Sequence, residues 1–155
     1  MKQRIMAIDE VTYPAHVILR YEIERDLIEG AIEVDDIPGI WNQKMEEYLG
    51  ISTEGNFTDG CMQDIHWTDG SFGYFPSYTL GAMYAAQFMA AMRKTIDVDT
   101  CLKQLEIAPI SEWLKENVWS KGSKLSTDEL VTQATGEPLN AEHFKQHLMA
   151  RYLDN

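Results

Sequence analysis

From Leu80 to Met92 the chain reads LGAMYAAQFMAAM, and the wider stretch from Tyr78 to Lys94 is small or apolar on nearly every helical face. A pattern of that kind marks a helix packed on all sides, with no dedicated solvent stripe. Gly81, Ala82, Ala85, Ala86, Ala90 and Ala91 admit close neighbours, while Met83, Tyr84, Phe88 and Met89 fill space. A methionine-lined cofactor groove is the competing reading, but packing accounts for the same residues. The run is interrupted at Gln87 and is too short to span a bilayer. A central core helix is therefore the first expectation.

Helix start and stop signals surround it. Thr12 and Pro14 open a segment that Gly30 stops, with Val17, Tyr21, Glu24 and Ile28 as one stripe and Ile18 and Leu27 widening it. His16, Arg20 and Glu24 fall at i, i+4 and i+8, which predicts an ion-pair ladder or, alternatively, a charge relay into a site. Asp35 or Asp36 caps a second helix, with Pro38 in its first turn, Gly50 at its end, and Trp41, Met45, Tyr48 and Leu49 buried. Further on, Asp97 or Asp99 starts a helix through Leu102 and Leu105, and Pro109 or Ser111 opens another that buries Trp113, Leu114 and Val118. Ser126 and Glu129 form a capping box before a helix that Gly136 closes, and Asn140 caps a last one carrying Phe144, Leu148 and Tyr152. The class is mainly α: one irregular multi-helix domain over residues 1–155, with at most a short strand pair near Gly60 to Trp67.

Just before the core helix lies GCMQDIHWTDGSFGYFPSY, residues 60–78, which holds Gln63, Asp64, His66, Trp67, Tyr74 and Tyr78 among Gly60, Gly70, Gly73 and Pro76. A polar, aromatic, glycine-rich loop on a rigid support can hold chemical groups in place. His66 has the chemistry of an acid, a base or a hydrogen-bond donor, and Tyr74 and Tyr78 offer phenols to a developing oxyanion. Equally, the same residues suit a tightly packed turn that satisfies buried backbone.

Composition narrows the partners. A net charge of −12 repels phosphates and argues against nucleic acid or an anionic membrane. Cys61 and Cys101 lie forty residues apart without a C-x-x-C pattern, which suits free thiols in a reducing compartment. The opening MKQRIMAIDE has no apolar stretch of signal-peptide length, so the cytoplasm is the expected location. His143 and His147, four apart, have a spacing that can chelate zinc, but no glutamate follows His143 and no third ligand is evident; two exposed histidines beside Lys145 and Arg151 are expected.

GCMQDIHW resembles the G-x-x-Q-D-x-H-W signature of the carboxypeptidase Taq family, zinc-dependent metallocarboxypeptidases. SFGYFPSYTLGAMYAAQ is similar to that family's next segment. DEVTYPAHVILRYEIE resembles the second half of its I-R-x-x-A-D-E-[LV]-T-Y motif and the following helix, and ISEWLKENVWSKGSKLSTDELVTQATGEPLNAEHFKQHL resembles its carboxyl-terminal end. The resemblance implies the carboxyl-terminal part of a zincin-like helical carboxypeptidase fold. By analogy with related helical zinc peptidases, it implies His66 and Tyr78 as oxyanion-stabilising catalytic donors. It implies Tyr74 as a second candidate for that duty or for gripping substrate, Gln63 and Asp64 as orienting His66 or lining the cleft, and Trp67 as packing.

Two departures accompany the match. Family members carry H-E-x-x-H and a downstream glutamate ligand ahead of the matched region, and these 155 residues contain no H-E-x-x-H. That pattern supplies two imidazoles on one helical face and a glutamate that activates water. The expectation is thus a carboxyl-terminal third that is inactive alone, with no metal site of its own; zinc and a peptide substrate belong to a complete enzyme. Aligning Asp9, Glu10, Thr12 and Tyr13 also puts Ile5 at the family's arginine position, with Arg4 one place away; the resemblance implies that arginine in handling substrate. A non-catalytic helical interaction module, self-associating as a homo-oligomer through bare helix faces, is the other reading.

Overall fold

The computed structural model describes residues 9–153, so Arg4 and Ile5 lie outside the described residues. Every regular element among them is helical: α1 Tyr13–Ile28, α2 Ile37–Leu49, α3 Pro76–Met92, α4 Val98–Gln104, α5 Ala108–Asn117, α6 Thr127–Thr135 and α7 Glu142–Tyr152. Single 3-10 turns occupy Val34–Asp36 and Trp119–Lys121. The segment from Gly60 to Trp67, where at most a short strand pair was expected, holds no strand and is mostly turn. Its glycines and short polar residues favour local i to i+3 closure over an extended ladder. The chain divides into two compact units, one ending at Thr79 and the other beginning at Leu80.

In the first unit, α1 and α2 bury Leu19, Ile23, Trp41 and Met45 as a continuous core, each with no more than 1% of its surface exposed. Pro14 sits in the first turn of α1, where its missing N–H costs nothing. Thr12 makes no side-chain cap; Asp9 Oδ1 accepts instead from the backbone N–H groups of Val11 and Thr12, at 2.9 and 2.8 Å. The buried face of α1 keeps Val17 and Glu24 of the expected stripe and otherwise differs from it. Ile18, Tyr21 and Ile28 are exposed, whereas His16, Arg20 and Glu24 are buried beside Val17, Leu19 and Ile23. Apolar periodicity misassigns part of this helix because three ionisable residues point inward, and Arg20 and Glu24 find partners there.

The second unit closes around a buried amide. The Gln87 side chain, on α3, shares its amide hydrogens among Thr135 Oγ1, the Glu137 carbonyl and the Pro138 carbonyl at 2.9, 3.2 and 3.0 Å, and its oxygen accepts from Asn140 N–H at 2.8 Å. The residue that breaks the apolar run thus ties α3 to the connection between α6 and α7. The Ser126–Glu129 capping box starts α6, and Gly136 ends it. Val98, Val131 and Phe144 are buried, while Trp113, Leu114 and Val118 of the α5 region are only half-buried. Asn140 Oδ1 accepts from Glu142 N–H at the start of α7; Leu148 is half-buried and Tyr152 is exposed.

The core helix departs most from expectation. Only Gln87, Ala91 and Met92 of α3 are buried, and Tyr78, Leu80, Gly81 and Ala85 are exposed. An apolar sequence pattern reports what a face is suited to, and no element among the described residues covers all of this one. His143 and His147 are half-buried, not exposed: His143 Nε2 lies 2.8 Å from Glu137 Oε1, and the His147 ring stacks near Phe144.

Candidate functional site

Three helical turns of α1 hold the loop that carries the proposed donors. Arg20 Nε bonds Asp64 Oδ2 at 2.7 Å, and an Arg20 Nη donates to the His16 carbonyl at 2.7 Å. The guanidinium also stacks over Trp41, 4.6 Å from the ring centroid. One turn further on, Glu24 accepts from Trp67 Nε1 at 2.7 Å and from the Gly73 backbone N–H. The expected ladder along the helix is replaced by pairing across to the loop. Charged groups this deeply buried persist because each is hydrogen-bonded or paired.

Within the loop, glycine is required at two places. A Cβ on Gly60 would clash with the Asn56 carbonyl oxygen. Gly73 adopts φ +78°, a left-handed conformation in which its N–H meets Glu24. Backbone bonds from Asp69 N–H to Ile65 O and from Ser71 N–H to His66 O, at 2.9 and 2.8 Å, fold residues 65–71 into a tight turn. Phe75, 3% exposed, anchors the far side and lies 4.5 Å from the His66 ring centroid.

His66 Nε2 and the Tyr78 hydroxyl stand 3.0 Å apart. His66 is half-buried, and its Nδ1 is sealed without a protein partner; Tyr78 is 37% exposed. Tyr74 packs edge-on against Tyr78 at 5.3 Å and lies 5.7 Å from His66, while Tyr13 meets the other side of Tyr78 at 6.1 Å. Edge-to-face contacts of this kind contribute about 0.5–1.5 kcal/mol each and fix ring direction. A cavity of about 140 Å³ lies against the pair, lined also by Tyr13, His16, Arg20, Asp64 and Phe75. Of the sequence-derived candidates, the structure gathers Asp64, His66 and Tyr78 on that cavity and sets Tyr74 against the pair. Gln63 does not line it, and its amide nitrogen is buried without a protein partner.

Burial, and then the Arg20 charge, push His16 below the ordinary imidazole pKa; burial, and then Tyr78, push Tyr13 above the ordinary phenol value. Tyr13 lines the cavity without having been assigned from sequence, whereas His16, Arg20 and Glu24 entered the sequence reading only as an ion-pair ladder or, alternatively, a charge relay into a site. The i, i+4, i+8 spacing of the last three was the available signal. A larger cavity of about 280 Å³, beside Trp41, Asn42, Thr53, Phe57 and Cys61, lies away from His66 and Tyr78; burial raises the pKa of its thiol, which favours an inert cysteine.

Among the described residues, no group of three or more His, Cys, Asp or Glu side chains is placed to hold a metal ion. His143 and His147 are included in that statement. The zinc implied by the family resemblance therefore does not fit the described residues.

Residues 2–152 match the carboxypeptidase Taq (M32) metallopeptidase family. The chain is 43% identical over 145 residues to carboxypeptidase 1 of Bacillus subtilis, covering 93% of itself and 29% of that protein. It is 39% identical to thermostable carboxypeptidase 1 of Pyrococcus furiosus, covering 94% of itself and 29% of that protein. Trypanosoma cruzi metallocarboxypeptidase 1, a solved structure, superposes with a TM-score of 0.90 at 51% identity, over 96% of this chain and 31% of that one. The chain thus spans about 30% of the length of the relatives it matches. With the fold, the signature loop and the matched span in agreement, this chain belongs to the carboxypeptidase Taq (M32) metallopeptidase family.

Proposed function

We propose that these residues furnish the oxyanion-stabilising side of a pocket that removes carboxyl-terminal residues from peptides, with the zinc-holding side on polypeptide other than these 155 residues. The observation that carries this reading is the 3.0 Å contact between His66 Nε2 and the Tyr78 hydroxyl beside a cavity. Hydrolysis of a peptide bond places negative charge on the former carbonyl oxygen, and a donor already aimed there lowers the barrier without reorganising. With the proton on His66 Nε2, the imidazole donates to the Tyr78 oxygen and leaves the phenol proton free to point at substrate. His66 and Tyr78 act as one catalytic donor unit in this reading, the imidazole donating to the Tyr78 oxygen and the Tyr78 hydroxyl donating to the oxyanion; Tyr74 and Asp64 contact substrate or shape its approach, and Gln63 supports the same loop. The chain by itself is inactive in this reading, since the residues that would hold the metal and activate water are not among those present. Two free cysteines and the acidic charge favour a cytoplasmic setting without nucleic-acid or membrane partners; no helix among the described residues is long and apolar enough to cross a membrane. The test joins this chain to the preceding portion of the Bacillus subtilis relative: the fusion releases carboxyl-terminal residues from peptides, whereas the 155-residue chain with added zinc does not. Peptide hydrolysis by the chain alone would contradict the reading.

A second reading, a self-associating non-catalytic module, is favoured by one observation. Ile18, Tyr21 and Ile28 on α1 are 47%, 46% and 66% exposed, a row of large apolar side chains along one helix. Such a module forms homo-oligomers in light scattering; a monodisperse monomer at high concentration would dispose of it.

A further inference from the structure

Resting on the role proposed above for His66, we infer that Glu24 is a positioning residue: its buried carboxylate clips together the two ends of the turn that carries His66 and Tyr74, and so sets the His66–Tyr78 contact. The geometry is specific. Glu24 is 6% exposed, and its two oxygens accept from different places on one loop, Trp67 Nε1 at 2.7 Å and the Gly73 N–H. Trp67 directly follows His66, and Gly73 directly precedes Tyr74. Each bond therefore fixes the residue adjoining a proposed site group. One helical turn earlier, Arg20 holds Asp64, two residues before His66. The helix grips the incoming and outgoing limbs of the turn from one rigid support, the arrangement that keeps a side chain within a fraction of an ångström of its working position.

A carboxylate is needed because both partners are donors. Ionised glutamate accepts at both oxygens, whereas a carboxamide accepts at one and presents N–H groups at the other. Glu24→Gln keeps the volume and must surrender one of the two bonds. The test is two-dimensional NMR of the 155-residue chain, wild type against Glu24→Gln, with Trp67→Phe as a second variant that removes the indole bond while keeping an aromatic ring against Trp41 and Phe75. The expected result is loss of exchange protection at the Gly73 amide or the Trp67 indole, shifted His66 ring resonances, and a weakened His66–Tyr78 ring contact, while the core resonances of Leu19 and Ile23 stay in place. In the fusion enzyme, Glu24→Gln lowers kcat by about 10- to 100-fold with KM little changed. Unshifted His66 resonances and an intact His66–Tyr78 contact in either folded variant would overturn the inference. Tyr78→Phe in the same fusion separates the two claims: if it leaves kcat unchanged, the donor role fails, while the NMR result still decides whether Glu24 sets the geometry.

Discussion

Arg20 and Asp64, forty-four residues apart in sequence, form an ion pair of 2.7 Å in which the guanidinium is 4% exposed and stacks on Trp41. This pair joins the apolar core of α1 and α2 directly to the loop that bears His66. Stability of the core and geometry of the loop are consequently linked through one helix.

The first concerns pH. The folded-state pKa of His16 lies below its ordinary value of 6.5 because burial and then Arg20 disfavour the charged form. The unfolded chain therefore binds the proton first as pH falls. His16 contributes its full stabilisation above pH 6.5 and loses it as pH drops through the folded value. Carboxylates held low, such as Glu22 by Lys44 and Tyr48, add their own loss only below about pH 4.5. Urea titrations between pH 7.5 and 5 should show a fall in unfolding free energy that His16→Gln largely removes.

The inverted face of α1 makes a sharper contrast. Leu19 is fully buried, whereas Ile18, its neighbour, is 47% exposed. Leu19→Ala should cost about 2–5 kcal/mol through lost burial and a residual cavity. Ile18→Ala should cost no more than about 0.5 kcal/mol. Equal losses in chemical denaturation would mean that the helix is turned otherwise.

Gln87 offers a test in the second unit. Gln87→Leu conserves the shape but leaves Asn140 N–H and the Pro138 carbonyl without the Gln87 partner, while the Glu137 carbonyl keeps only its bond from Thr135 Oγ1. Losing these part-buried bonds costs about 0.5–1.5 kcal/mol each. Thermal melts should show a clearly lowered Tm and faster amide exchange between Thr135 and Asn140.

Much of the fold was legible in the sequence. Pro14, Pro38, Ser126, Glu129 and Gly136 mark helix ends through local backbone chemistry, which needs no tertiary information, and the helices begin or end beside them. The inward face of α1 was legible only at Val17 and Glu24, because His16 and Arg20 look like solvent-facing residues until the fold is in place, and the partners of Arg20 and Glu24 lie forty or more residues away. The exposure of α3 was hidden for the converse reason: composition shows that a face is apolar without showing what covers it. In the site, the signature drew attention to His66 and Tyr78, but their 3.0 Å approach depends on turns at Gly70 and Gly73 and on the Phe75 anchor, which no spacing rule supplies.

The central claim is tested most directly by Tyr78→Phe in the fusion with the preceding portion of the Bacillus subtilis relative, using steady-state kinetics on a peptide substrate. The account predicts a fall in kcat of about a hundredfold or more, equivalent to roughly 3 kcal/mol of barrier, with KM nearly unchanged. A kcat equal to that of the unmutated fusion would contradict it.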